Sequence, residues 1–308
     1  MTKWTTKDIT DQAGKTAIIT GANSGLGFEA TKALAEKNAL VIMACRNMEK
    51  AQQAKQRILE QHSKANLEIM PLDLASLESI EQFATNFKTK HEKLHYLFNN
   101  AGVMFPPFTQ TKDGFELTFG VNHLGHFALT AHLLPTLLQT PSSRVITQSS
   151  FYSKRGKIEF DNLNAEKKYS KSKAYAQSKL ANLLFAFELQ RKLEQANATT
   201  ISVAAHPGYS NTNLQFVGPE MENSKIRKTF MRIANTLFAQ SAAKGALPML
   251  YAATAPNIKG GEYFGPRGLF QIWGHPKRIK PQKRALDIET ARRLWEVSEQ
   301  LTNIKYPL

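Results

Sequence analysis

Thr16-Ala17-Ile18-Ile19-Thr20-Gly21-Ala22-Asn23-Ser24-Gly25-Leu26-Gly27 is the stretch that decides how this chain is read. Its first five residues form a short β-branched run, the mark of a buried strand. The glycines that follow suit a tight turn in which backbone N–H groups can approach a pyrophosphate. Residues 25–37 then read as a helix, whose N-terminus adds a partial positive charge at the same point. A glycine-rich turn without a ligand is the alternative, and the strand–glycines–helix order argues against it. The spacing, Gly-x-x-x-Gly-x-Gly, is wider than the usual Gly-x-Gly-x-x-Gly of dinucleotide sites.

Working outward, strands are expected at 16–20, 40–44, 67–71, 95–99, 144–148, 200–205 and 262–264. Helices are expected at 25–37, 48–61, 77–90, 115–139, 174–195, 243–254 and 288–302. This alternation argues for an α/β fold with a parallel sheet covered by helices on both faces. Ligands of such sheets bind beyond the carboxyl ends of the strands. The 308 residues suffice for one large domain, and no repeat, low-complexity tract or linker divides them. Cys45 is the single cysteine, which excludes an internal disulfide and a cysteine zinc cluster; at a strand end its default role is packing.

Lys and Arg total 40 against 25 Asp and Glu, a net charge of +15. Nucleic-acid binding would need aromatic–basic interleaving or a recognised module, and both are missing. A solvated basic surface plus a phosphate-rich cofactor is the more economical account. The densest cluster, Lys277, Arg278, Lys280, Lys283 and Arg284, is read as a solvated face. Residues 1–14 are polar and no apolar run is long enough to span a bilayer, so a cytoplasmic protein without a transmembrane segment is expected.

Further along, Tyr175 and Lys179 stand four residues apart, one helical turn, on one face of the 174–195 helix. A phenol is a poor acid at neutral pH, and a fixed cation beside it stabilises the phenolate. Such a phenol can exchange a proton with a carbonyl or alcohol oxygen. Taken alone the pair is weak evidence, since the spacing recurs on solvated helix faces. It gains weight from the company it keeps: Asp73-Leu74, Asn99-Asn100-Ala101-Gly102, Asn122 within Val121-Asn122-His123-Leu124-Gly125-His126-Phe127, Ser149-Ser150, and Pro207-Gly208-x-x-x-Thr212.

In this order, and with the wide glycine spacing, these motifs resemble the short-chain dehydrogenase/reductase family over nearly the whole chain. Ala44-Cys45-Arg46-Asn47, Ser178-Lys179-Leu180-Ala181-Asn182 and His206-Pro207-Gly208 are most similar to its retinol-dehydrogenase-like and protochlorophyllide-reductase-like branch. The resemblance implies a single-domain, Rossmann-type, doubly wound parallel sheet of seven strands. It implies a cofactor and catalytic core over 14–212, a substrate lid over 213–242 and a C-terminal completion over 243–308.

The cofactor can be read from one position. NAD-preferring enzymes place an acid at the end of the second strand to bond the ribose 2′-hydroxyl. Arg46 stands there instead, and a guanidinium pairs well with a 2′-phosphate, so NADP(H) is expected. Asn23 and Ser24 can add polar contacts, beside the loop residues Gly21, Gly25, Leu26 and Gly27. By resemblance, Asp73 meets the adenine amino group and Leu74 holds the ring. Asn99, Ala101, Gly102 and Val121 line ribose and base, although Asn99 and Gly102 are also readable as turn residues. Pro207 and Gly208 close over the nicotinamide, Thr212 bonds its carboxamide and Lys179 its ribose.

The expected chemistry is hydride transfer to or from a carbonyl or alcohol carbon of an apolar small molecule. Tyr175 handles the proton, Lys179 lowers its pKa, Ser150 donates a hydrogen bond to the reacting oxygen, and Asn122 holds a water connected to Lys179. Ser149 and Ser150 face opposite ways at a strand end, and Ser150 is chosen by resemblance. The charged insertion at 156–171 places serine and tyrosine further apart than in many family members, as it does in the retinol-dehydrogenase-like branch. His123, His126 and His132 lack an Asp, Glu or Cys to complete a metal shell and are read as core or helix-surface residues; no metal site is expected. His206 is read as a packed loop residue. Ile226, Phe230, Ile233 and Leu237 form an apolar helical stripe flanked by Lys225, Arg227, Lys228 and Arg232, read as a lid over an apolar substrate, with contact of the basic face with an anionic membrane surface as the alternative. Two other functions compete: an NADP(H)-binding regulator with little catalysis, disfavoured because all four tetrad residues are present, and a light-driven tetrapyrrole reductase, disfavoured by the near absence of cysteine. The oligomeric state stays open between monomer and homo-oligomer.

Overall fold

The structure, a computed structural model, describes residues 3–210 and 240–308. Among them a mixed sheet runs in the order β3-β2-β1-β4-β5-β6-β7-β8. Its strands are β1 (Thr16–Thr20), β2 (Leu40–Cys45), β3 (Leu67–Pro71), β4 (Tyr96–Asn99), β5 (Arg144–Gln148), β6 (Ile201–Ala205), β7 (Tyr263–Pro266) and β8 (Pro276–Arg278). β1 to β7 pair in parallel, with Ile18 opposite both Ile42 of β2 and Leu97 of β4. The order reverses between β1 and β4. Loops leaving these two strands must therefore diverge and open a crevice at their carboxyl ends.

Strand pleating sorts the core into two layers. Ala17 and Ile19 of β1 join Val41, Met43 and Phe98 on one face, packed against Leu34 of α1 (Gly25–Ala35) and Leu250 of α6 (Ala242–Thr254). Ile18, Ile42, Leu97 and Val145 point the other way. They meet Phe83 of α3 (Leu77–Lys90), Phe127 of α4 (Gly125–Gln139), Phe185 of α5 (Lys171–Gln195) and Trp295 of α7 (Ile288–Thr302). Helix starts follow local chemistry: Asn47 caps α2 (Met48–Leu59) by accepting Lys50 N–H at 2.8 Å, and Asp287 caps α7 through Thr290 N–H at 2.9 Å.

Two sequence expectations are corrected. The sheet has an eighth strand, β8, antiparallel to β7 with Gly265 opposite Lys277. Its three residues, a proline and two cations, carry no alternation to reveal them. They make the blunt, charged edge that discourages pairing with another sheet. The helix expected over 115–139 is broken: a short turn, Leu117–Phe119, leads into a π-helical turn, Gly120–Leu124, before α4 begins. Such turns are frequent at functional sites, and Asn122 lies inside this one. No helix among the described residues is long and apolar enough to cross a membrane.

Candidate active site

At the switch point the loop after β1 and the loop after β4 are sewn together by one hydroxyl. Thr20 Oγ1 accepts the N–H groups of Asn100 and Ala101, each at 2.9 Å, while Asn100 Nδ2 donates to Thr20 O at 2.7 Å. Gly21 and Gly25 adopt left-handed backbone, φ 68° and 54°. Gly27 is required for another reason: a Cβ there would stand 2.3 Å from Gly21 O. Ser24 caps α1 without using its side chain, and Phe28 N–H is the first to find a helical carbonyl, at 3.2 Å on Ser24 O. The N–H groups of Gly25, Leu26 and Gly27 are thus left for a ligand, the usual condition of a helix N-terminus. Beneath the loop, the buried Cys45 thiol accepts the N–H groups of Ala22 and Asn23; burial pushes its pKa up to about 11, so it stays neutral.

Arg46 follows β2 as an exposed side chain with no partner among the described residues. Its neighbour Asn47 is committed to the α2 cap. Asp73, half-buried, accepts Ala75 N–H at 3.0 Å with one carboxylate oxygen, and Leu74 is buried. Asn99 turns its amide into the core, where Nδ2 donates to Thr130 Oγ1 at 2.9 Å, so only its main chain faces the crevice. Val121 is buried in the π-turn. These positions fit a dinucleotide: a glycine cradle that a Cβ would fill, three free helix N–H groups, and an uncommitted cation at the adenosine end.

The structure brings Asn122, Ser150, Tyr175 and Lys179 together. Asn122 Oδ1 accepts Val103 N–H at 2.8 Å, while its Nδ2 donates to Val103 O and to Ser178 Oγ, each at 3.0 Å. Those bonds fasten the β4 loop to α5. Gly102 lies between: a Cβ there would be 2.9 Å from Asn122 Oδ1 and 3.7 Å from Lys179 Nζ. The Lys179 ammonium donates to Gln148 O at 3.2 Å and stands 5.8 Å from the centre of the Tyr175 ring. Ser149 and Ser150 part as the pleat requires. Ser149 Oγ donates to Lys179 O at 2.8 Å, a purely structural bond, whereas Ser150 lies beside the phenol and accepts Tyr152 N–H at 3.2 Å.

Burial governs the electrostatics. It pushes the Tyr175 phenol up to about 12, with the Ser150 hydroxyl pulling it back and the nearby Tyr152 pushing further. It pushes Lys179 down to about 8. Burial is the largest cause of both shifts, and in each group it disfavours the charged form. A consequence for stability follows. Lys179 binds its proton less tightly folded than unfolded, so the unfolded chain holds more protons between about pH 8 and 10.5, and wild-type stability rises with pH across that window. Below it the full burial cost applies. Lys179→Met should raise stability at pH 7 by on the order of 3 kcal/mol, abolish the alkaline rise and abolish turnover. Urea melts at pH 7 and pH 10 check this; a destabilised variant at pH 7 contradicts it.

Beyond β6, His206 Nδ1 accepts Gly208 N–H at 3.2 Å, and burial holds the ring neutral, its pKa pushed down to about 3. Gln240 Nε2 donates to Pro207 O at 2.6 Å and Gln240 Oε1 accepts Gly274 N–H at 3.2 Å, tying the Pro207-Gly208 turn to the β7–β8 connection. Thr212 and the stripe Ile226, Phe230, Ile233 and Leu237 lie outside the described residues.

Several supporting residues carried no sequence signal. His126 Nδ1 is 3.1 Å from Asn122 O, an acceptor only, so this nitrogen carries the proton; Nε2, 2.9 Å from Thr20 Oγ1, then shares the hydroxyl proton with Phe98 O at 3.1 Å. One buried ring thereby links the π-turn to the glycine loop. His123 is buried too, on Ser298 Oγ at 2.9 Å. Both amide atoms of Gln148 are buried without a partner at the end of β5. Among the described residues no group of three or more His, Cys, Asp or Glu could hold a metal.

Comparison with known proteins agrees with this geometry. The sequence profile described as short chain dehydrogenase matches residues 15–222. Retinol dehydrogenase 14 of Mus musculus is 39% identical over 303 residues, covering 94% of this chain and 86% of its own length. Retinol dehydrogenase 13 of Homo sapiens is 41% identical, covering 96% and 86%. Among solved structures, an uncharacterised protein from Mycobacterium paratuberculosis is 40% identical with a TM-score of 0.83, covering 100% of both chains. A short chain dehydrogenase from Shigella flexneri, solved with NADP, shares the fold at 22% identity and a TM-score of 0.62, covering 83% and 97%.

Proposed function

This chain belongs to the short-chain dehydrogenase family, and on that premise we propose that it is an NADP(H)-dependent oxidoreductase working between a carbonyl and an alcohol on an apolar small molecule. One observation carries the reading: Tyr175, Lys179, Ser150 and Asn122 converge at the carboxyl ends of β4 and β5, beside a glycine cradle shaped for a dinucleotide. Arg46 supports the phosphorylated form of the cofactor, since it is an uncommitted cation where an NAD enzyme would present a carboxylate. The Shigella flexneri structure with NADP and the retinol dehydrogenases point the same way for cofactor and for substrate polarity.

NADPH, when bound, supplies the hydride. The protein's part is positioning and proton control. Residues Gly21, Asn23, Ser24, Gly25, Leu26 and Gly27 would hold the pyrophosphate and Arg46 the 2′-phosphate. Asp73, Leu74, Ala101, Gly102 and Val121 would frame adenine and ribose, with Pro207, Gly208 and Thr212 at the nicotinamide. Ser150 would donate a hydrogen bond to the substrate oxygen as charge develops there, and Tyr175 would deliver its proton to the same atom. A phenol held near 12 is fully protonated at neutral pH and is still a far stronger acid than the alcohol it forms, so the transfer is downhill. Lys179, kept against Gln148 O, would set the positive potential that the leaving proton requires. We propose 213–242 as the lid.

The direction of the shifts makes reduction the easier sense near neutrality. Carbonyl reduction is expected to be flat up to about pH 8 and to fall above it, as Lys179 loses its charge. Alcohol oxidation needs the phenolate and is expected to rise with pH instead. Opposite slopes in kcat/KM for the two directions between pH 7 and 10 test this; parallel slopes contradict it.

A further inference from the structure

Residues 102–108 lead away from β4 past the catalytic phenol, and Phe105 is held there in an unusual way. Its φ is 56°, left-handed backbone that a bulky side chain avoids. Such strain persists only where the surroundings over-determine it, and it gathers at ligand clamps. Both sides of Phe105 are anchored. Val103 is fixed by its two bonds to Asn122, at 2.8 and 3.0 Å, and Pro106 O accepts the Tyr169 hydroxyl at 2.6 Å. Pro106 itself disfavours right-handed helical backbone at the residue before it.

The ring so placed meets Tyr175 edge to face, with centroids 5.3 Å apart and planes at 73°, and Tyr152 likewise at 5.4 Å and 66°. Tyr152 and Tyr175 complete the triangle at 5.6 Å and 67°. Tyr175 is only 4% exposed. A carbonyl that meets its oxygen therefore comes up beside the Phe105 and Tyr152 rings that pack against this phenol. A flat π-system can join such a cluster through further edge-to-face contacts, which a saturated ring of equal size does not offer.

We infer that Phe105 is a specificity-determining residue, a rigid aromatic wall that selects carbonyl and alcohol substrates bearing an aryl ring beside the reacting carbon. The inference rests on the oxidoreductase reading above, so its test is made by binding as well as by turnover. The NADPH-saturated protein would be titrated calorimetrically with benzyl alcohol and with cyclohexylmethanol. Wild type should bind benzyl alcohol at least about fivefold more tightly. Phe105→Leu, which keeps bulk but no π face, should bring the ratio below about twofold. Phe105→Gly suits the left-handed backbone and so keeps the fold. It should lose the preference as well, and it should admit 2-naphthalenemethanol at least about tenfold more tightly than wild type does. No aryl preference in wild type, or a preference untouched in both variants, overturns the inference. Aryl-selective binding without hydride transfer to benzaldehyde would leave the wall standing and remove the oxidoreductase reading; transfer without selectivity would do the reverse.

Discussion

Tyr175→Phe is expected to lower kcat for carbonyl reduction by about 10³-fold, while NADPH affinity changes by less than about threefold. The reasoning is local. The ring's packing against Phe105 and Tyr152 is preserved in phenylalanine, so the site keeps its shape. What is lost is the one oxygen that can pass a proton to the substrate, together with its interaction with Ser150. The phenol is neutral at pH 7 in the folded and the unfolded chain alike, so its raised pKa, about 12, costs the fold nothing there. Its removal should therefore leave thermal stability near the wild-type value. Steady-state kinetics beside calorimetric NADPH titration separates the two effects. A loss of less than about tenfold would mean that some other group, or water, protonates the oxygen.

Arg46→Asp should reverse the preference between NADPH and NADH by about 10³-fold in kcat/KM. Two contributions add. Removing the guanidinium forfeits a charge-assisted pairing worth about 1.5–3 kcal/mol, and the carboxylate introduced in its place repels the 2′-phosphate while offering the ribose hydroxyl an acceptor. A combined swing of about 4 kcal/mol corresponds to that factor. Because Arg46 is exposed and makes no hydrogen bond or ion pair with the described residues, the substitution should leave the unfolding midpoint where it was. That contrast matters: loss of NADPH activity accompanied by loss of fold would place Arg46 in the scaffold instead.

Much of this was legible in the residues themselves, for identifiable reasons. The β1–glycine–α1 unit announces itself because a Cβ at Gly27 would collide with Gly21 O, so only glycine can stand there. That Ser149 and Ser150 face opposite ways follows the period of a strand, while the choice of Ser150 rests on the family resemblance; the pleat sends Ser149 to the Lys179 carbonyl. Long-range arrangements left no local trace. The Thr20–His126–Asn122 link joins residues about a hundred positions apart. The π-turn that carries Asn122 is hidden inside an apolar run that reads as continuous helix. Phe105 carries no local mark in the sequence, since left-handed backbone at a phenylalanine is imposed from outside by Asn122 and Tyr169. The electrostatics also escaped the sequence: helical spacing puts Lys179 beside Tyr175, but only the packed site shows that burial raises one pKa and lowers the other.

The central claim is that this chain moves a hydride between NADP(H) and a carbonyl carbon. Incubating the wild-type protein with NADPH deuterated at C4 of the nicotinamide and a panel of apolar aldehydes and ketones, followed by mass spectrometry of the alcohols, tests it most directly. The expected finding is deuterium bound to the carbinol carbon of at least one product, formed about 10³-fold more slowly with Tyr175→Phe under the same conditions. Tight NADPH binding with no deuterium in any alcohol would contradict the claim and return the chain to the reading of a cofactor-binding regulator.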